Sequence, residues 1–131
     1  IEIAKKNNLP DRVIDFIRTH HGTSTVRYFY NKQKEISLEF KPSDFKYNGP
    51  KPFSKETAIL MMCDSVEAAS KSLKNPNSNK INKFVDAIIN SQIDANQFLN
   101  ANITFKEIES IKKVLKYKLA NIYHLRIEYP D

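Results

Sequence analysis

Apolar positions recur at helical spacing along most of the chain, and nowhere do they alternate strongly enough to predict a strand. Residues 11–21 read as a helix with Val13, Phe16, Ile17 and His20 on one face. Pro10 is placed for its first turn and Gly22 for its end. A second helix is predicted from Thr25 to about Lys34, with Val26, Phe29 and Tyr30 on one side. Residues 40–53 then hold Pro42, Gly49, Pro50 and Pro52, which exclude regular structure. The Phe and Tyr residues of that stretch predict a loop pinned to the body, and long connections of this kind are often functional. Ser54 can cap a helix running to about Leu73. Ile59, Met62, Val66, Ala69 and Leu73 line one side of it; Thr57, Leu60, Met61, Asp64, Ala68 and Lys71 line the other. Apolar residues on both sides mark a central helix, with Asp64 lying among Leu60, Met61 and Ala68.

After the break at Asn75-Pro76-Asn77-Ser78, Lys80 to Ser91 forms a shorter amphipathic helix with Ile81, Phe84, Val85 and Ile88 inward. Thr104-Phe105-Lys106-Glu107 is a capping box. It opens a last helix to about Arg126 whose seam is Ile108, Ile111, Leu115, Leu119 and Ile122. The expected fold is all-α, a multi-helix bundle.

Length and charge narrow this picture. The 131 residues suit one domain with one core. The longest apolar run, Ala58 to Cys63, is far too short to span a bilayer, so a soluble piece is expected. One cysteine excludes a disulfide framework and a multi-Cys zinc site, and two glycines argue against a glycine-rich phosphate loop. The net charge is +6 and favours anionic partners. Yet Lys112, Lys113, Lys116 and Lys118 spread around one helix, and no basic run is interleaved with aromatics. They are read as solvated helix faces, and no nucleic-acid partner is expected. A non-enzymatic basic helical module that binds nucleic acid or a protein partner is kept as the alternative.

Three features could carry chemistry. Adjacent residues on a helix point about 100° apart, but at a fraying end the imidazoles of His20 and His21 can converge on one ion. The plainer reading is two histidines each bonded to a carbonyl. Asp64, in an apolar neighbourhood, must be neutralised, paired or metal-bound, because unpaired burial costs several kcal/mol. A salt bridge with Arg27 or Lys71 would serve as well as a metal. Gly49-Pro50-Lys51-Pro52 is a rigid loop that presents one cation beside a helix start; it can hold a phosphate or be a plain turn with a solvated lysine. Cys63 reads as a buried thiol and not as a nucleophile.

In order along the chain, His20-His21-Gly22-Thr23, Tyr28-Phe29-Tyr30, Gly49-Pro50-Lys51-Pro52, Ser54-Lys55-Glu56 and Asp64-Ser65-Val66-Glu67-Ala68-Ala69-Ser70 resemble one bacterial family. Ser72-Leu73-Lys74-Asn75-Pro76 and the stretch from Tyr123 to Pro130 fit as well. This is the seven-transmembrane HD family, whose characterised members are PgpH-type cyclic di-AMP phosphodiesterases. The resemblance covers nearly the whole chain.

It implies an all-α, metal-dependent phosphohydrolase domain. The family's ligand series is a first His, a His-Asp dyad, a further His, a His-His pair and a last Asp. His20 and His21 match the pair, which in related enzymes belongs to one metal of a two-metal centre, and Asp64 matches the last Asp, which belongs to the other. Two divalent ions, iron or manganese, would activate a hydroxide that opens cyclic di-AMP to the linear dinucleotide. Arg27 and Lys51 are candidate contacts to the substrate phosphates, without a ligand-series match. Tyr28 and Tyr30 could stack on adenine or pack in the core. The family's setting places the domain on the cytoplasmic face of the bacterial plasma membrane.

The sequence departs from the family in one respect: its only histidines are His20, His21 and His124, so no His-Asp dyad is present. Ile1-Glu2-Ile3-Ala4-Lys5-Lys6 also reads as a helix already under way. Residues 1–131 are therefore expected to be the C-terminal portion of a single HD domain, incomplete at its N-terminus. The remaining partners would be the missing N-terminal half and membrane region. Alone the piece should be inactive, and its uncovered apolar faces should favour a homodimer or a domain swap. The enzyme and module readings separate on one point. The enzyme requires His20, His21 and Asp64 to approach one another across two helices beside an open cleft.

Overall fold

The computed structural model describes residues 1–24 and 46–124. Among these residues it is helical, with five helices: α1 (Glu2–Lys6), α2 (Asp11–Thr19), α3 (Lys55–Ser70), α4 (Ser78–Asp94) and α5 (Phe105–Ile122). The helix expected at 25–34, with Arg27, Tyr28 and Tyr30, lies outside the described residues, as does Arg126.

α3 is the central helix that its two apolar sides predict. It packs against α2, α4 and α5, and Ala58, Met61, Met62 and Val66 are buried along it. Its start is fixed locally. The Ser54 hydroxyl accepts from the Thr57 N–H, and the Thr57 hydroxyl accepts from the Ser54 N–H, so two of the four free donors of a helix start are satisfied reciprocally. The Thr104–Glu107 box does the same for α5. Lys55 and Glu107 then meet at 3.1 Å, which ties the two helix starts together.

α4 lays Ile81, Val85 and Ile89 into the core, and α5 adds Ile108, Leu119 and Ala120. Lys112 is also buried there, which the apolar seam did not foretell. Its ammonium donates to the Asn90 side-chain oxygen at 2.8 Å and to Glu109 at 3.0 Å, so the charge is not stranded. Ile122, assigned to the seam, is instead 67% exposed. Tyr123 packs against the core in that last turn and donates its hydroxyl to the Ser70 carbonyl at 2.9 Å.

α2 differs from its expected orientation. Val13 and Ile17 are 42% and 38% exposed, and the buried positions are Ile14 and Thr19. Thr19 can be buried because its hydroxyl donates to the Asp15 carbonyl at 2.7 Å. A periodic pattern marks the apolar side of a helix but does not say what covers it. Ile1, Ile3 and Leu9 are exposed as well, so among the described residues the outer side of α1 and α2 is apolar and uncovered.

Candidate metal centre

The site is assembled where α2 ends. Thr19 is the last helical residue, His20 caps the helix, and His21 begins a turn. Because the helix stops there, the two imidazoles are freed from helical divergence. Their ring centroids come within 3.9 Å. His20 Nδ1–H donates to the Ile17 carbonyl at 2.8 Å, a bond that leaves Nε2 with its lone pair free for a ligand. The plain and the functional readings of this histidine are thus compatible: one nitrogen satisfies a carbonyl and the other stays open.

Asp64, from the middle of α3, reaches the same place. Its Oδ2 lies 3.9 Å from His21 Nδ1, too far for a direct hydrogen bond. One ligand atom from each of His20, His21 and Asp64 can be chosen so that all lie within 4.8 Å of one another. Bonds of about 2.0–2.2 Å from one ion to nitrogen or oxygen hold opposed ligands roughly 4.2 Å apart, so the three atoms lie within the span of a metal centre. Burial pushes the His21 pKa down, and the neighbouring His20 adds to that, while Asp64 opposes it. His21 therefore favours the neutral imidazole, which is the ligating form.

Asp64 is half-exposed and not buried among Leu60, Met61 and Ala68 as its neighbourhood suggested. Leu60 is itself 38% exposed, so the apolar neighbourhood read from the sequence does not close over Asp64. Lys71, its candidate partner, pairs with Glu67 at 3.7 Å. Cys63 is half-buried, and burial raises its pKa, which disfavours a thiolate.

Beside the cluster is an open cleft of about 870 Å³, lined by Ser65 and Ala68 of α3, Ile88 and Gln92 of α4, and the cations Lys46 and Lys51. Lys51 is thus where a loop cation was anticipated; Lys46 was not. The Gln92 amide nitrogen donates to the Ser65 hydroxyl at 2.7 Å, and its Oε1 is buried without a partner among the described residues.

Three residues support the cluster: Tyr47 and Gln97, which carried no clear signal in the sequence, and Gly22, which the sequence places there only as a helix end. Tyr47 stacks on His21 with ring centroids 4.3 Å apart and planes 14° from parallel. The Tyr47 N–H donates to the Ser24 carbonyl at 3.0 Å, which secures the loop to the turn. The aromatics in the proline-rich stretch hinted at such pinning but did not single out Tyr47. Gly22 adopts φ +54°, and a Cβ there would lie 2.4 Å from Gln97 Oε1. Gln97 lies past the end of α4, 74 residues from Thr23, and accepts from the Thr23 N–H at 2.9 Å. No periodicity or motif could have found it.

The chain is 45% identical over 130 residues to the cyclic-di-AMP phosphodiesterase PgpH of Listeria monocytogenes serotype 1/2a (strain 10403S). It is 45% identical over 129 residues to the PgpH of Bacillus subtilis (strain 168). A crystal structure of the L. monocytogenes PgpH HD domain in complex with cyclic-di-AMP superposes with a TM-score of 0.90 at 44% identity, over 98% of this chain. The chain is homologous to the PgpH HD domain. It shares that domain's all-helical fold, and it spans 60% of that crystallised chain and 18% of the length of each of the two PgpH relatives. No family model matches the chain. No helix among the described residues is long and apolar enough to cross a membrane.

Proposed function

We propose that residues 1–131 are the C-terminal portion of an HD-type phosphodiesterase domain that hydrolyses cyclic di-AMP to the linear dinucleotide. The observation that carries this reading is the approach of His20, His21 and Asp64 from two separate elements beside an open cationic cleft. A purely structural helical module has no need of that juxtaposition. The similarity to a domain crystallised with cyclic-di-AMP supports the substrate.

His20, His21 and Asp64 would hold divalent metal, iron or manganese. A bound divalent ion supplies a water that is deprotonated near neutral pH and offsets charge on the phosphoryl oxygens. The chain's own residues do the rest. Asp64 sets a carboxylate against the imidazoles. Tyr47 and the Ile17 carbonyl fix the two rings, so little reorientation is needed on binding. Lys46 and Lys51 put positive charge beside the cleft, where a phosphodiester would be seated. A cleft of this volume falls in the range that suits a dinucleotide-sized ligand. Hydrolysis adds water across one phosphodiester: a P–O bond forms to the water oxygen, the ribose oxygen leaves, and it takes up a proton.

The cleaving centre needs further ligands. On the family pattern, three ligands serve only part of a two-ion site, so these residues alone are expected to be inactive. The uncovered face of Ile1, Ile3, Leu9, Val13 and Ile17 is where the rest of the domain would pack; alone, it would favour a homodimer or a domain swap. The family's setting would place the whole on the cytoplasmic face of the plasma membrane. The test uses the full natural protein with manganese, with cyclic di-AMP followed to its linear product by chromatography. His21→Ala and Asp64→Ala should each lower turnover by at least about 100-fold, the loss of several kcal/mol of metal-derived stabilisation. Wild-type turnover in both variants would overturn the assignment.

A further inference from the structure

Gln97 lies outside every motif, yet it is 3% exposed and all but one of its described side-chain bonds converge on the turn that bears the two histidines. Its place is set by the way α4 ends. Asn96 takes a left-handed conformation at φ +59°. The Asn96 N–H then donates to the Ile93 carbonyl, and the Gln97 N–H donates to the Gln92 carbonyl. That pair of bonds is a Schellman ending, which fixes the backbone of the residue just past the helix. The Gln97 side chain is therefore launched from a defined point. Its Nε2 donates to the Ala95 carbonyl at 3.1 Å and to the Thr23 hydroxyl at 3.0 Å, and its Oε1 accepts from the Thr23 N–H at 2.9 Å.

Thr23 is two residues past His21, and its neighbour Ser24 turns back to the site. Ser24 donates its N–H and its hydroxyl to the His21 carbonyl, at 3.1 and 2.7 Å. The Ser24 carbonyl accepts from Tyr47, whose ring stacks on His21. Gly22, between His21 and Thr23, leaves just the room that the Gln97 amide fills. An amide at this spot thus fixes both the backbone after His21 and the loop that bears its stacking partner.

We infer that Gln97 is a positioning residue for the His20–His21 pair: it sets how tightly that pair can hold a divalent ion. The inference rests on the metal reading above and extends it to a residue outside the ligand set. Removing the bonds to Thr23 lets the 22–24 turn shift relative to α3, and with it the spacing between His21 and Asp64. Outer residues that orient metal ligands commonly contribute 10–100-fold in affinity.

The test is titration of the full natural chain, stripped of metal, with Co²⁺ alone, read by its visible absorption bands. Thermal unfolding of the metal-free protein is recorded alongside. Gln97→Leu should weaken Co²⁺ binding by about 10–100-fold and alter the band pattern. Gln97→Glu keeps an acceptor for the Thr23 N–H and hydroxyl but loses both bonds that Nε2 donates, to the Thr23 hydroxyl and to the Ala95 carbonyl, so its Co²⁺ affinity should fall between wild type and Gln97→Leu. Val85→Ala, a fully buried change on the helix that Gln97 follows, should lower the unfolding temperature while leaving Co²⁺ affinity unchanged. Unchanged affinity in Gln97→Leu overturns the inference. So does weakened binding in Val85→Ala that matches its loss of stability. A wild-type protein that binds no Co²⁺, or His21→Ala that binds it normally, overturns the metal reading itself. Normal wild-type binding, lost in His21→Ala but kept in Gln97→Leu, overturns the role of Gln97 alone.

Discussion

The two halves of this molecule are held by different forces. Where α3, α4 and α5 meet, Met62, Val66, Ile81, Val85 and Ile89 are almost wholly removed from water, and burial is the main source of stability. Around the end of α2, the inward residues are Thr19, Gly22 and Gln97, small or polar, each joined to its surroundings by a hydrogen bond. Burial is non-directional and tolerates small shifts. Hydrogen bonds are directional and fix atoms in place, which is what a ligand set needs. The core therefore supplies the stability, and the turn supplies the geometry.

The largest effect should come from the first half. Met62→Ala removes a fully buried side chain from the central helix and should cost about 3 kcal/mol in urea unfolding. If the comparison holds, metal affinity measured well below the unfolding midpoint should stay near wild type. A site that loosened in step with the core would show that the two halves are not separable.

Gly22→Ala should come next, at about 2 kcal/mol, and reverse the balance. An alanine at φ +54° is strained, and its Cβ would displace the Gln97 amide. Urea unfolding gives the loss of stability. Co²⁺ titration should show a fall in affinity well beyond that of Met62→Ala, although less stability is lost. Equal affinity in the two variants would contradict the division.

The same division explains what could be read from the sequence. The helices of the core were legible because burial leaves a periodic trace: the cap at Ser54, the capping box at Thr104 and the two-sided pattern of α3 appear where expected. The approach of His20, His21 and Asp64 was legible only through the family resemblance, since 43 residues separate His21 from Asp64 (64 − 21) and no spacing rule joins them. Gln97 and Tyr47 were not legible. Single hydrogen bonds and one ring stack leave no periodicity, and their partners are set by tertiary placement. Lys112 misled for the opposite reason. A lysine marks a solvated face unless its ammonium finds partners, and Asn90 and Glu109 are visible only once α4 and α5 are packed. The α2 stripe was read as inward because nothing in a single helix reveals which neighbour covers it.

The smallest expected effect sharpens the comparison at the rim of the core, where charge joins packing. Glu107 accepts from the Thr104 N–H and pairs with Lys55, and these contacts, the backbone bond foremost, hold its pKa below the ordinary 4.5. A carboxylate whose pKa is lowered by folding stabilises the folded state fully above its unfolded value. That contribution is lost as the pH falls through the lower, folded value. Glu107→Gln keeps an acceptor for the Thr104 N–H but removes the charge. The urea midpoint of the variant should lie below that of wild type at pH 7, and the two should converge as the pH is taken well below 4.5. Added salt at pH 7 should narrow the gap too, because the Lys55 pair is partly exposed and open to screening. A gap that persisted unchanged in acid would mean that Glu107 acts through its shape alone, and that the junction of α3 and α5 is held by packing, like the rest of the core.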